Sequence, residues 1–285
     1  MNASFRNTRF GGFLLALPAI FWLSFFFILP LVIVLVVSFM SRGGAGVPML
    51  PFTLEHYERS FDVFSPVLLR SMWIAVLTTV VCLIVGYPLA FFISTRRSTV
   101  VRSLCIFLVI LPFWTNFLIR TYAWRILLGE EGTINAFLQA TGLIQEPLGM
   151  LNTPFAVLVG LVYGFLPFMI LPIYASVERF DFRFVDAAHD LGANDWRAFW
   201  RVVFPMTLPG VYAGCALVFI PAVGAFITPD LLGGTRGLMI GNLIQRQFGG
   251  SGNMPLGSAL SIIMMAVVMI SLLVYIRLGT RRGSA

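Results

Sequence analysis

Long apolar stretches, separated by short polar ones, follow each other along almost the whole chain. Six of these stretches are long enough to cross the hydrocarbon core of a bilayer as helices, which takes roughly 20 residues. The predicted spans are residues 13–40, 67–95, 100–122, 154–177, 210–229 and 256–276. The pattern therefore predicts an all-α integral membrane protein with six transmembrane helices.

The first apolar stretch follows Arg6 and Arg9, as the core of a secretory signal peptide would. The apolar core of a signal peptide is only about 7 to 15 residues long, however, and this stretch is longer. We therefore expect it to remain as a span. The resulting domain organisation is a tail of residues 1–12, one membrane domain of residues 13–277 and a second tail of residues 278–285.

An even number of spans places both termini on one side of the membrane. Most of the arginines, including the clusters near residues 96–102, 179–201 and 277–282, fall on that same side, and the acidic residues concentrate opposite. Positively charged loops usually stay in the cytoplasm. The arginine distribution therefore predicts that both termini are cytoplasmic.

The composition agrees with a membrane protein and excludes several other classes. Hydrophobic residues make up 59% of the chain and charged residues 11%, with a mean hydropathy of +0.92. The net charge of +7 comes only from arginine, which in a membrane protein indicates topology rather than nucleic-acid binding. The three cysteines have no metal-ligand or CxxC spacing, and a chain without lysine has no ATP-binding P-loop. We expect no cofactor or metal in this chain.

One polar passage between the fourth and fifth predicted spans has helical periodicity. Apolar residues recur with the spacing of one helical stripe at Phe184, Ala187, Ala188 and Leu191. Asp181 suits the start of this helix, and Gly192 suits the left-handed residue that closes one. The passage therefore begins with a short amphipathic helix that ends at a glycine.

A second amphipathic helix follows the glycine. Asn194 is a candidate N-cap, and the stripe continues at residues 196, 199, 200 and 203, with Pro205 and Pro209 expected to limit the helix. Periodicity alone leaves two interpretations open: a hairpin resting in the lipid headgroups, or a knob that docks into a groove of a partner protein.

Acidic residues in this passage call for a basic partner. Asp186 and Asp190 stand four residues apart, a like-charge spacing that costs about 0.2 to 0.5 kcal/mol on a helix. The expected partners are Arg183, Arg197 or Arg201, or a basic residue of another protein.

The passage "DAAHDLGANDWRAFWRVVFP" resembles the EAA loop of permease subunits from binding-protein-dependent ABC importers. The family pattern is Glu-Ala-Ala, three residues, Gly, nine residues, Ile, one residue and Leu-Pro. This chain matches the spacing throughout, with Asp, Val and Phe in place of Glu, Ile and Leu. The resemblance implies that residues 178–209 are a cytoplasmic helix–Gly–helix coupling loop. The residues that it assigns to contact with the ATPase are Asp186, Ala187, Ala188, Gly192 and Pro205.

The resemblance also implies partners. These are a second, homologous permease subunit, two copies of a cytoplasmic ATPase that binds ATP and Mg²⁺, and a periplasmic substrate-binding protein. A homodimer of this chain is allowed equally. The expected location is the bacterial inner membrane, in contact with lipid and without nucleic acid.

Several further strings, such as "PFWTNFLIRTYAW" and "GAFITPDLLGG", resemble the permeases of spermidine and putrescine transporters. A polycationic substrate would use carboxylates and aromatic faces along its path. The resulting candidates are Asp230, Trp114, Tyr122 and Trp124. The alternatives are a helix cap or arginine pairing for Asp230 and membrane-interface anchors for the aromatic residues. Arg120 would repel a polycation, so we expect it to pair with Glu130 or Glu131.

Two other function classes fit the sequence poorly. A membrane enzyme would need an acid–base or nucleophile pair, yet His56 and His189 are the only histidines and no HExxH or GxSxG motif occurs. A secondary transporter usually places ionisable residues near the middle of its spans, and these spans are nearly free of charge. Importers of other small solutes, such as opines, ferric iron or thiamine, share parts of the same strings and remain an alternative.

Overall fold

The computed structural model describes residues 9–249 and 252–280. Most of the two predicted tails therefore lies outside the described residues. Two short strands, β1 (Met40–Arg42) and β2 (Pro48–Phe52), accompany thirteen helices in this part of the chain. In chain order the helices are α1 (Arg9–Ser38), α2 (Glu55–Asp62), α3 (Ser65–Ser94), α4 (Thr99–Ile110), α5 (Phe117–Leu127), α6 (Thr133–Ala140), α7 (Pro154–Glu178), α8 (Arg183–Asp190), α9 (Asp195–Ala198), α10 (Phe204–Val223), α11 (Ile227–Leu232), α12 (Ile240–Gln247) and α13 (Met254–Thr280).

The chain divides into two compact units, Met1–Phe64 with Ile244–Met265, and Ser65–Leu243 with Ala266–Ala285. The first unit contains α1 and the hairpin of β1 and β2, which pair antiparallel with Met40 opposite Phe52. Helix α1 is apolar on every side, and none of its most hydrophobic window is buried. Its end is fixed by the Ser38 hydroxyl, which lies 2.7 Å from the Tyr57 hydroxyl of α2.

The second unit is built around α3, α7 and α10, which pack side by side. Gly210 and Gly214 of α10 allow this because a Cβ atom at Gly214 would lie 2.7 Å from the Met169 sulfur of α7. Small residues at such a spacing let membrane helices approach closely. The shared core contains Cys82, Tyr87, Ala90, Ile93, Met169, Ile170, Ile173, Val177, Val211 and Val218.

The third predicted span is not a continuous helix. Its segment forms α4, a 3₁₀ turn over Leu111–Trp114 and α5, with a bend of 93° between the two helices. Pro112 lacks the N–H needed to continue α4, and the Asn116 side chain starts α5 by accepting a hydrogen bond from the Leu118 N–H at 2.8 Å. The described residues therefore contain five candidate spans, or six if the bent pair is one span.

The fifth predicted span also has different limits. Helix runs without interruption over Asp195–Val223, including a π-helical turn at Phe199–Val203. Pro205 does not end this helix, because the π turn directly before it provides a wider backbone at the position where a proline lacks its hydrogen bond. The helix ends at Gly224, and the last residues of the predicted span, 227–229, belong to the separate helix α11.

The loop between the third and fourth predicted spans contains the short helix α6. The buried side chain of Asn135 fixes this loop, because it donates to the carbonyl oxygens of Gly129 and Leu148, both at 3.0 Å. It also accepts a hydrogen bond from the Leu148 N–H at 2.9 Å. One side chain thus ties both sides of α6 together and gives Glu130 and Glu131 a defined position.

Candidate functional site

The coupling segment, residues 181–205, contains the two predicted helices. Gly192 joins them with a φ of 82°. The N–H of Gly192 bonds to the His189 carbonyl oxygen at 2.8 Å, and that of Ala193 bonds to the Ala188 carbonyl oxygen at 3.0 Å. These two bonds form a Schellman motif, which closes a helix with a left-handed residue. Gly192 is therefore required by backbone geometry, as its position in the sequence predicts.

Side chains begin both helices of the segment. The Asp181 carboxylate accepts a hydrogen bond from the Arg183 N–H at 3.0 Å, directly before α8. The Asn194 side chain accepts one from the Arg197 N–H at 2.9 Å and caps α9. Both contacts satisfy N–H groups that a helix start otherwise leaves unpaired. Local hydrogen bonds therefore define the two helices.

Much of the apolar stripe of the segment faces outward, although Phe199 is half-buried and Val203 is buried. Leu191 is 89% exposed, Trp196 is 70% exposed and Phe184 is 51% exposed. Ala187 is exposed beside them, and Ala188 is half-buried. Apolar side chains concentrated on an exposed surface usually mark contact with another protein or with lipid. Small residues on α8 leave room for the backbone of a partner to come close.

The charges of the segment pair differently from the prediction. The imidazole Nε2 of His189 lies 3.2 Å from the carboxylate of Asp195, across the Gly192 turn. Within residues 9–249 and 252–280, neither Asp186 nor Asp190 forms an ion pair. The expected pairing with Arg183, Arg197 or Arg201 is therefore wrong for the described chain, and both carboxylates are exposed.

Pro205 lies at the junction between the coupling segment and α10. The Phe204 N–H bonds to the carbonyl oxygen of Phe199, five residues earlier, which is the π-helical pattern. A regular α-helix would place the Pro205 ring against the Arg201 carbonyl group, where no N–H is available to it. Pro205 therefore marks a widened helical turn through which α9 is joined to α10.

The four candidate path residues have different surroundings. Trp114 is 76% exposed at the end of the 3₁₀ turn, with its ring 5.8 Å from that of Phe107. Tyr122 is 49% exposed on α5. Trp124 is partly buried and its ring lies 5.5 Å from that of Tyr163 on α7. Asp230 is exposed in the first turn of α11.

Three of the four candidate path residues lie on helices that pack against each other. Helix α11, which carries Asp230, packs against α5, which carries Tyr122 and Trp124, and also against α7. Trp114 precedes α5, on the other side of the bend. The path role of the four residues stays a prediction.

Arg120 does not pair with Glu130 or Glu131. Its guanidinium carbon lies 5.4 Å from the ring centre of Phe113 and 5.7 Å from that of Phe117, which is the geometry of cation–π contacts. Glu130 and Glu131 instead line a cavity of about 380 Å³ with Gly149, Leu151 and Asn152. Two exposed carboxylates thus share one concave surface, which sequence reasoning had treated only as a partner for Arg120.

One buried polar pair was missed from the sequence. The Tyr87 hydroxyl of α3 lies 2.8 Å from the Thr207 hydroxyl of α10, and both residues are buried. The only sequence signal is a tyrosine and a threonine inside otherwise apolar spans. Their separation of 120 residues made the contact impossible to infer without the fold.

Long apolar helices, two of them joined by a short amphipathic helix–Gly–helix segment, indicate a multi-pass membrane protein. The chain belongs to the family of binding-protein-dependent transport system inner membrane components, whose model matches residues 7–282. It is a multi-pass inner-membrane permease subunit and not an enzyme, since ATP hydrolysis in this family is carried out by a separate ATPase. The resemblance to this family that the sequence shows is therefore confirmed.

Curated relatives include the spermidine/putrescine transport system permease protein PotB of Haemophilus influenzae. That protein is 44% identical over 257 residues, which is 90% of this chain and 90% of the relative. PotB of Escherichia coli K12 is also 44% identical, covering 90% of this chain and 93% of the relative. The inner membrane ABC transporter permease protein YdcU of the same organism is 31% identical over 96% of this chain and 91% of its own length.

Solved structures confirm the fold. A bacterial ABC transporter involved in the import of the acidic polysaccharide alginate matches with a TM-score of 0.71 and 18% identity, covering 95% of both chains. The MetNI methionine ABC transporter in an inward-facing conformation matches with a TM-score of 0.58 and 14% identity, covering 79% of this chain and 98% of that one. The predicted fold class, an all-α permease, is therefore correct.

Proposed function

We propose that this chain is a permease subunit of an ATP-driven importer of polyamines, with putrescine and spermidine as substrates. The observation that carries the proposal is the 44% identity to the PotB permeases across 90% of the chain. At this identity and coverage, the similarity to PotB extends over the whole membrane domain and is not confined to the coupling segment. The stretches that resemble polyamine permeases include Trp114, Tyr122, Trp124 and Asp230.

The working complex contains a second homologous permease subunit, two copies of a cytoplasmic ATPase and a periplasmic substrate-binding protein. ATP and Mg²⁺ bind to the ATPase. Both termini and the coupling segment lie on the cytoplasmic side, which the arginine distribution supports. Asp186, Ala187, Ala188 and Gly192 contact the ATPase, and Pro205 links that contact to α10. The exposed apolar side chains of α8 and α9 support this assignment.

Polyamine chemistry fits the acidic and aromatic groups of the second unit. A flexible polycation gains from carboxylates, and each aromatic face contributes about 0.5 to 2 kcal/mol by cation–π contact. Asp230 supplies a carboxylate on α11, which packs against the helix α5 that carries Tyr122 and Trp124. The cavity of Glu130 and Glu131 offers two further carboxylates, which attract cations.

The decisive experiment uses the complete complex in proteoliposomes, with the substrate-binding protein on the outside. Putrescine, spermidine and thiamine are compared for uptake and for stimulation of ATP hydrolysis. Uptake and stimulation by the two polyamines alone would support the proposal. Stimulation by thiamine alone would leave an importer and reject the polyamine assignment. ATP hydrolysis that no partner or solute stimulates would reject the coupling assignment.

A further inference from the structure

One tyrosine of the spanning helix α3 packs against the π turn that lies between the coupling segment and α10. The ring of Tyr87 on α3 lies 5.7 Å from that of Phe199, which begins the π turn, and 5.5 Å from that of Phe204, which follows it. One turn further along α3, the ring of Phe91 lies 6.0 Å from that of Phe199. The two α3 side chains therefore contact both ends of the widened turn.

A chain of hydrogen bonds continues from the Tyr87 ring into the backbone of the same turn. The Thr207 hydroxyl donates to the Val203 carbonyl oxygen at 2.9 Å, and Val203 is the last residue of the π turn. With its single proton used in this way, Thr207 accepts at 2.8 Å from the Tyr87 hydroxyl. The phenol of α3 is thus linked through Thr207 to a backbone carbonyl group in the turn.

The π turn lies within one continuous helix, so it directly connects the coupling segment to the spanning helix α10. A force on α9 passes into α10 without a loop to absorb it, since Asp195–Val223 is one helix. The π turn is a weak point of that helix, because its hydrogen bonds depart from the α-helical pattern and Pro205 directly after it donates none. Insertions of this kind frequently occur at functional sites.

We propose that Tyr87 is a positioning residue that makes the coupling segment and α3 move as one body, by holding the π turn through Phe199, Phe204 and Thr207. A shift of α8 and α9 caused by the ATPase then reaches α3 as well as α10. Without the hydrogen bond between Tyr87 and Thr207, the π turn deforms locally and a smaller part of the movement of α8 and α9 reaches α3. The inference deepens the proposed function, because it concerns how ATP binding at the coupling segment is transmitted to the spans.

The test compares four single variants, and the double variant of Tyr87→Phe with Thr207→Val, in the complete complex. Tyr87→Phe and Thr207→Val remove the two hydroxyls and keep the side-chain volume nearly constant. Thr207→Ser retains the hydroxyl. Thr79→Val is the matched control, because the Thr79 hydroxyl of α3 donates only within its own helix, to the Ala75 carbonyl oxygen at 2.8 Å. The first measurement is putrescine taken up per ATP hydrolysed in proteoliposomes.

Tyr87→Phe and Thr207→Val should each lower this ratio about three- to tenfold, the effect of one lost buried hydrogen bond. The double variant should lose no more than either single one, because both remove the same link. Thr207→Ser and Thr79→Val should stay within about twofold of the unchanged chain. Equal ratios for Tyr87→Phe, Thr207→Val and Thr79→Val would overturn the proposal.

A second measurement needs no transported solute. Hydrogen exchange is compared between the nucleotide-free complex and the complex trapped with ATP, for α3 residues 84–94 and for α8. ATP should alter exchange in both segments of the unchanged chain, and only in α8 for Tyr87→Phe. An identical response of α3 in that variant would overturn the inference. Absence of putrescine uptake by the unchanged complex would instead reject the proposed substrate, and the exchange result would still decide the role of Tyr87.

Discussion

Arg102 Nη1 lies 3.1 Å from Glu178 Oε1, which joins the beginning of α4 to the last residue of α7. The same carboxylate oxygen accepts a hydrogen bond from the Tyr174 hydroxyl at 2.8 Å. The side chains of Arg102 and Glu178 are 33% and 41% exposed. This contact anchors α7 at the point where the chain leaves the span and enters the coupling segment.

Breaking this ion pair should have a small effect on stability. Partly exposed pairs contribute about 0.2 to 1 kcal/mol, because water and salt screen them. Arg102→Gln, Glu178→Gln and the double variant form a double-mutant cycle, measured as thermal unfolding of the purified complex. We expect a coupling energy in that range that declines at high salt. A coupling energy that salt does not change would contradict a screened ion pair.

Gly192→Val should uncouple ATP hydrolysis from transport, so that the assembled complex hydrolyses ATP with less substrate uptake. A Cβ atom at Gly192 meets no other atom within 4 Å, so the cost is backbone strain of about 1 to 2 kcal/mol at the positive φ. That strain displaces α8 relative to α9. The measurement is substrate uptake together with ATP hydrolysis in proteoliposomes.

Gly142→Val provides a matched control for this prediction. Gly142 has a φ of 70°, closes α6 with the same pair of hydrogen bonds and also has open space around its Cβ position. It lies outside the coupling segment. We expect Gly142→Val to cost similar stability and to leave uptake per ATP unchanged. Equal uncoupling by both variants would mean that general strain, and not the position of Gly192, causes the effect.

The local features of the coupling segment were predictable because short-range interactions create them. Asp181, Gly192 and Asn194 act on N–H or carbonyl groups only a few residues away, so their positions in the sequence carry the information. The contact of His189 with Asp195 was missed, although it lies directly across the Gly192 turn. Which carboxylate meets which cation depends on side-chain directions that spacing does not supply.

The positions of the prolines did not predict where the helices end. Pro88, Pro167 and Pro172 lie inside continuous helices, whereas Pro112 coincides with a 93° bend. The difference is that Asn116 follows Pro112 closely and can start a new helix. Pro205 and Pro209 were expected to limit a helix, but a π turn accommodates Pro205 and Pro209 lies inside α10. The tertiary contacts of Tyr87 with that turn depend on the fold and had no local signal.

Gly210→Ala should destabilise the second unit. Its Cβ atom would lie 2.5 Å from the Ser176 Cβ and 2.6 Å from the Pro172 carbonyl oxygen, so α10 and α7 would have to separate. Overpacking of this kind costs about 1 to 3 kcal/mol. The measurement is the melting temperature of the purified complex.

Gly164→Ala is the control, because its Cβ atom would meet only Phe117, at an ordinary distance of 3.8 Å. We expect a change within about 0.5 kcal/mol. A large loss of stability in Gly164→Ala would contradict this expectation. It would show that another subunit packs against this face of α7.

Asp230→Asn should raise the KM for putrescine more than it lowers kcat, because the change removes a negative charge and keeps the shape of the side chain. Asp230 is exposed on α11, so the melting temperature should change little. Uptake of putrescine at several concentrations measures the effect. An unchanged KM would exclude Asp230 from the substrate path.

Trp114→Ala should lower polyamine uptake about two- to thirtyfold without changing the melting temperature, if its exposed ring contacts the substrate by cation–π attraction. Trp124→Ala should lower both quantities, because its ring packs against Tyr163 and against the cluster of Leu128, Ala156 and Leu232. Trp114→Phe keeps an aromatic face and should retain much of the uptake. Normal uptake by Trp114→Ala would exclude Trp114 from the path and favour a role as a membrane-interface anchor. Loss of uptake in Trp114→Ala, with uptake retained in Trp114→Phe, would place an aromatic contact on the route of the substrate.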